Sequence, residues 1–158
     1  MQYPISFTLN GRKEFVLVEP GRTLVALLRE DFQLTGGKVA CNIGDCGACT
    51  VIMNGMAVKS CLVPALKADG ADLLTIEGLG EDSLHPLQQK FVEHAAIQCG
   101  YCSPGMILAA KAFLDENPNP TEEEAREAIA GNICRCTGYA KIVQAILDAA
   151  TLMEGGRE

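Results

Sequence analysis

The stretch CNIGDCGACTVIMNG, residues 41–55, places three cysteines and two glycines within its first nine positions and then turns apolar. TVIM followed by Asn54-Gly55 and AVKSC reads as a β-hairpin, because Asn-Gly supplies the two positive-φ residues of a tight turn. Its second arm ends on a fourth cysteine, Cys61. A cysteine-rich loop therefore leads straight into a sheet. Upstream, Ile5, Phe7 and Leu9 alternate with polar residues, the period of a half-buried strand. Asn10-Gly11 turns that strand into EFVLVE, and after Pro20-Gly21, Thr23 caps a short helix whose Leu24, Leu27 and Leu28 share a face. DLLTIE at 72–77 supplies a last strand. Four or five strands with one packed helix make an α+β unit.

From about residue 83 the apolar period becomes helical. Ser83 is expected to cap a helix carrying Leu84, Leu87 and Phe91. Ser103-Pro104 opens a second, with Met106, Ile107, Ala110 and Leu114 on its face, and NPNP at 117–120 ends it. Thr121 with Glu124 three residues on is a capping-box pattern opening a third. Ile142, Val143, Ile146, Leu147 and Ala150 mark a fourth. The polar GLGEDS at 78–83 is the expected linker, dividing the chain into a sheet domain, 1–78, and a four-helix domain, 79–158.

Bulk properties narrow the function. The net charge of −7 argues against nucleic acid, which rewards basic patches. No window is long and apolar enough for a membrane span, and MQYPISFTLNGRKEF lacks the apolar block of a signal peptide. A cytoplasmic location is expected, where eight cysteines mean metal more often than cross-links.

Cys41, Cys46, Cys49 and Cys61 are spaced C-x4-C-x2-C-x11-C, and the first three follow the plant-type [2Fe–2S] pattern. A thiolate-bound cluster is anionic, so the loop must wrap it with inward-pointing amides. Gly44 and Gly47 lack the Cβ that would block that approach and reach positive φ freely. Structural zinc typically draws on two short C-x2–4-C pairs, whereas one loop here supplies three ligands. The second group, Cys99 and Cys102 in QCGYCSPG with Cys134 and Cys136 in NICRCTGY, suits zinc or iron–sulfur by spacing alone. SPGM and TGYAK read as helix starts, whose positive ends favour an anionic cluster. Four plus four leaves no thiol as a nucleophile. His85 and His94 read as surface or packing residues, the acidic runs as solvated faces, and no nucleotide-binding glycine motif is present. No catalytic residue is expected on this chain.

Together, CNIGDCGACTV, QCGYCSPGM and GNICRCTGY resemble the small iron–sulfur subunit of the molybdenum hydroxylases, the xanthine dehydrogenase, aldehyde oxidoreductase and aerobic carbon monoxide dehydrogenase relatives. The resemblance runs from about residue 3 to 150. It implies a ferredoxin-like β-grasp domain followed by a four-helix bundle, with one [2Fe–2S] cluster in each. Cys41, Cys46, Cys49 and Cys61 would hold the cluster nearer flavin, and Cys99, Cys102, Cys134 and Cys136 the one nearer molybdenum. Gln98 matches a glutamine that hydrogen-bonds the molybdopterin, and Cys136 a ligand that also touches the pterin. Partners would be a large molybdopterin-binding and a medium FAD-binding subunit, in a dimer of heterotrimers, with the end at Glu158 implying separate chains for those cofactors. Asn42 replaces a common glycine, Asp45 a Glu or Gln, and Ser103 a common threonine; the first of these is expected to shift loop geometry. Two other readings are a free-standing ferredoxin-like carrier, which has no use for Gln98 and a second cluster, and a zinc-stabilised interaction module.

Overall fold

The structure, a computed structural model, describes residues 1–80 and 83–155. Glu81 and Asp82 of the expected linker lie outside the described residues. Five strands form one mixed sheet: β1 (Tyr3–Leu9), β2 (Arg12–Val18), β3 (Thr50–Met53), β4 (Met56–Lys59) and β5 (Asp72–Leu74), in the order β2-β1-β5-β3-β4. Both Asn-Gly pairs adopt the left-handed conformation their turns require, φ 50° and 79° at Asn10 and Gly11, φ 51° and 82° at Asn54 and Gly55. β1 and β2 pair antiparallel with Phe7 opposite Glu14, while β5 joins β1 in parallel.

Ile5, Phe7 and Leu9 point to the inner face, where Val18, Val51, Leu73 and helix α1 (Leu24–Glu30) complete a core. The α1 start is the expected one, Thr23 accepting from the Ala26 amide at 3.4 Å. β5 stops after three residues, and Ile76–Gly78 winds into a 3₁₀ turn instead of continuing the strand expected to residue 77. The cause is Asn10: its side chain accepts from the Thr75 amide (2.9 Å) and donates to the Thr75 hydroxyl (3.0 Å), turning the chain out of the ladder.

The second half holds α2 (Pro86–Glu93), α3 (Ser103–Glu116), α4 (Glu122–Ala128) and α5 (Ala140–Gly155). The cap of α2 is His85, not Ser83: its ring Nδ1 accepts from the Leu87 amide (3.2 Å), and Gln88 Oε1 accepts from the His85 amide (2.9 Å). Leu84 consequently lies before the helix and is exposed, instead of being carried on it with Leu87 and Phe91 as expected. The Thr121–Glu124 capping box forms as expected, with reciprocal bonds of 3.3 Å and 2.7 Å. The TVIM strand is buried on both faces, which explains its unbroken apolar run. Val51 enters the core under α1, while Ile52 enters the helical core with Met106, Leu87 and Ile146. The sheet is thus covered by α1 on one side and α3 on the other.

Candidate metal centres

The first cysteine group occupies the loop from Cys41 to Cys49, closed by Cys61 just beyond β4. Gly44 (φ 86°) and Gly47 (φ 72°) take the positive φ expected of them. Asn42 also does, at φ 56°. Asparagine is among the non-glycine residues best suited to that region, so Asn42 takes a conformation that glycine adopts freely. A Cβ at Gly47 would lie 2.5 Å from the Gly131 carbonyl oxygen and 2.7 Å from the Asn132 side chain. Cys49 and Cys61 are buried against Val25 of α1, and Cys41 and Cys46 are half-exposed.

Backbone amides converge on these sulfurs. The Cys46 amide donates to Cys41 Sγ at 3.4 Å. That bond, then the Ile43 amide, holds the Cys41 thiol down to about 6. Burial, then the Cys49 thiol hydrogen-bonded to it, pushes Cys61 up to about 11. The loop therefore favours a thiolate at Cys41 but leaves Cys61 protonated until positive charge arrives.

The second group gathers where the loop before α3 meets the loop before α5. Cys102 occupies the N-cap of α3, so the expected helix-start placement holds there, whereas α5 begins four residues after Cys136. Cys136 Sγ lies 3.6 Å from Cys99 Sγ, and Cys102 hydrogen-bonds Cys134. Burial, then Cys134, pushes Cys102 up to about 12. Burial also acts upward on Cys134, but the Thr137 hydroxyl (3.1 Å) and amide (3.4 Å), with the Cys136 amide, bring it below the ordinary thiol value. A cavity of about 170 Å³ is lined by Cys99, Cys102, Cys134 and Cys136, with Ala40, Cys46 and Tyr101 among its other walls.

Eight thiols thus fall into four pairs: Cys41 with Cys46, Cys49 with Cys61, Cys99 with Cys136, and Cys102 with Cys134. Two pairs per group would supply the four thiolates that a two-iron cluster takes. With amides directed at the sulfurs and a cavity inside the second group, the residues fit two [2Fe–2S] clusters.

Asn132 and Tyr139, beside these groups, carried no recognisable signal in the sequence. Asn132, buried, donates to the Gly47 carbonyl (3.0 Å) and the Thr50 hydroxyl (3.3 Å). Tyr139 holds φ 70°, and its hydroxyl accepts from the Cys134 amide at 2.8 Å. His94, expected as a surface or packing residue, pairs with Asp148 of α5 at 2.8 Å. Gln98 is exposed and makes no hydrogen bond to a described residue.

The chain carries two cluster-binding modules: residues 7–75 match the 2Fe-2S iron-sulfur cluster binding domain and residues 75–147 the [2Fe-2S] binding domain. It is 53% identical over 143 residues to the nicotinate dehydrogenase small FeS subunit of Eubacterium barkeri, spanning 90% of this chain and 91% of that one. Identity to the nicotine 6-hydroxylase small subunit of Paenarthrobacter nicotinovorans is 49%, spanning 92% and 88%. The fold superposes on a chain of quinoline 2-oxidoreductase from Pseudomonas putida 86 with a TM-score of 0.94 at 42% identity, covering 99% of each. The chain belongs to the small iron–sulfur subunits of the molybdenum hydroxylases. It is an electron-transfer component of an oxidoreductase complex, and membership implies larger partner subunits. No described helix is long and apolar enough to cross a membrane.

Proposed function

We propose that the chain relays single electrons from a molybdopterin centre on a large partner subunit to FAD on a medium one, in a cytoplasmic dimer of heterotrimers. Cys41, Cys46, Cys49 and Cys61 hold the cluster nearer flavin, and Cys99, Cys102, Cys134 and Cys136 the one nearer molybdenum, in units divided near residues 78 and 79. The pairing of thiols two by two, with amides aimed at their sulfurs, is the observation that carries this reading. Bound there, a [2Fe–2S] cluster accepts and returns one electron at a time. The chain's own part is to fix the sulfurs, stabilise their negative charge with N–H donors and limit water at Cys49, Cys61 and Cys134, all buried. Gln98 and Cys136 lie exposed beside the second group, and the free Gln98 amide offers a donor and an acceptor to the pterin. Rapid mixing of the intact complex with its substrate tests the relay. Iron–sulfur absorbance should bleach within a turnover and before flavin is fully reduced; clusters that stay oxidised while substrate is consumed contradict it.

A further inference from the structure

The two thiol groups are joined by a polar seam centred on one peptide. The Gly47 carbonyl, between Cys46 and Cys49, accepts from the Thr50 amide (3.1 Å), the Thr50 hydroxyl (2.7 Å) and Asn132 Nδ2 (3.0 Å). Asn132 comes from the other half of the chain, two residues before Cys134, and is only 4% exposed. Its Oδ1 accepts from Lys59 Nζ of β4 at 3.4 Å, and that ammonium also donates to the Gly131 carbonyl. One residue on, the Ile133 amide donates to the Cys46 carbonyl at 2.9 Å, so a backbone hydrogen bond ties the residue before Cys134 to a cysteine of the other group.

Sterics close the seam from two sides. A Cβ at Gly47 would strike Gly131 and Asn132, and a Cβ at Gly105 on α3 would lie 2.4 Å from the Gly47 oxygen. No positive φ accompanies Gly105, so its lack of a side chain answers only to this approach. A buried amide with its donor and acceptor sides both engaged has a single orientation, and removing it strands the groups it served.

We propose that Asn132 is a positioning residue: it clasps the loop carrying Cys46 and Cys49 to the segment carrying Cys134 and Cys136, and so sets the separation of the two centres between which electrons pass. This rests on the two-cluster reading for its consequence but not for its contacts. Asn132→Ala in the intact complex tests it with two measurements. Hydrogen exchange reads the Ile133 amide, whose bond to Cys46 the clasp protects, and needs no cluster. Low-temperature EPR of the dithionite-reduced complex reads the magnetic interaction between the two centres, which falls steeply with their distance.

The expected result is about ten- to hundredfold faster exchange at Ile133, the consequence of losing buried hydrogen bonds. With iron and sulfide content unchanged, the magnetic splitting should shift or broaden. A lower melting temperature with both readouts as in the parent marks a purely structural role and overturns the proposal. Should the alanine variant lose its clusters, Asn132→Asp, which keeps the Lys59 contact but not the donor to Gly47, and Lys59→Met carry the same measurements. Parent-like exchange and splitting in both variants overturn it equally. Zinc, or a single signal, in the parent would instead refute the two-cluster reading, and the exchange measurement would still decide the clasp.

Discussion

Gly47 and Gly44 both occupy the left-handed region, yet they face different neighbours. At Gly47 an added Cβ meets backbone and a buried amide; at Gly44 it meets only the end of the Leu62 side chain, at 2.3 Å. Left-handed strain costs about 1–2 kcal/mol at either position, and overpacking adds about 1–3 kcal/mol where the neighbours cannot yield. Gly47→Ala is therefore expected to destabilise the chain by about 2–5 kcal/mol and Gly44→Ala by about 1–2 kcal/mol, read from denaturant midpoints. Equal losses would show that the seam is looser than its geometry. Cysteine substitutions should separate the two groups. Cys46→Ser should cost the loop cluster and loosen the N-terminal half, whereas Cys134→Ser should spare that half; loss of both clusters in a folded Cys134→Ser protein contradicts the assignment. At this scale the cysteines and Gly44 and Gly47 were legible, because spacing and the missing Cβ are local properties. Asn132 was not, since its partners lie 82 and 85 residues away and no pattern marks them.

Helix α2 carries a pH dependence that its sequence concealed. Local propensity points to Ser83 as the cap and to His85 as a surface or packing residue, because serine is the stronger local cap former. The fold puts His85 at the cap, where burial first, then the Lys111 ammonium, lowers its pKa, with Asp115 opposing. Unfolded, the ring titrates near 6.5. Below that value the unfolded chain takes up a proton that the folded chain resists, so the stability contributed is present above about pH 6.5 and is lost as pH falls toward the folded pKa. Protonation also removes the Nδ1 acceptor from the Leu87 amide. Melting temperatures compared at pH 7.5 and 5.5 should fall more in the parent than in His85→Asn, which keeps a capping oxygen without a titrating ring; identical slopes would contradict this. The Thr121 cap of α4 lies in an exposed segment, and Thr121→Ala should cost about 1 kcal/mol with no pH dependence of its own near neutrality. Periodic elements such as β1 and α3 were readable because each buries one face. The shortening of β5 was not, since it depends on Asn10 bonding to Thr75 across 65 residues.

Over the whole molecule, two hydrophobic cores meet on β3, whose Val51 and Ile52 enter different ones. The sequence announced an α+β unit followed by helices, but not that α3 would cover the second face of the sheet and bring the two thiol groups to a common seam. That closeness gives the relay its physical basis, since each group alone would be an isolated one-electron site. The N–H donors and burial differ between the groups, so their potentials and spectra should differ too. Spin quantitation on the fully reduced protein tests this most directly. The account predicts two distinguishable [2Fe–2S] signals integrating together to two spins per chain, with four iron and four labile sulfide; zinc, or one signal integrating to a single spin, would contradict it.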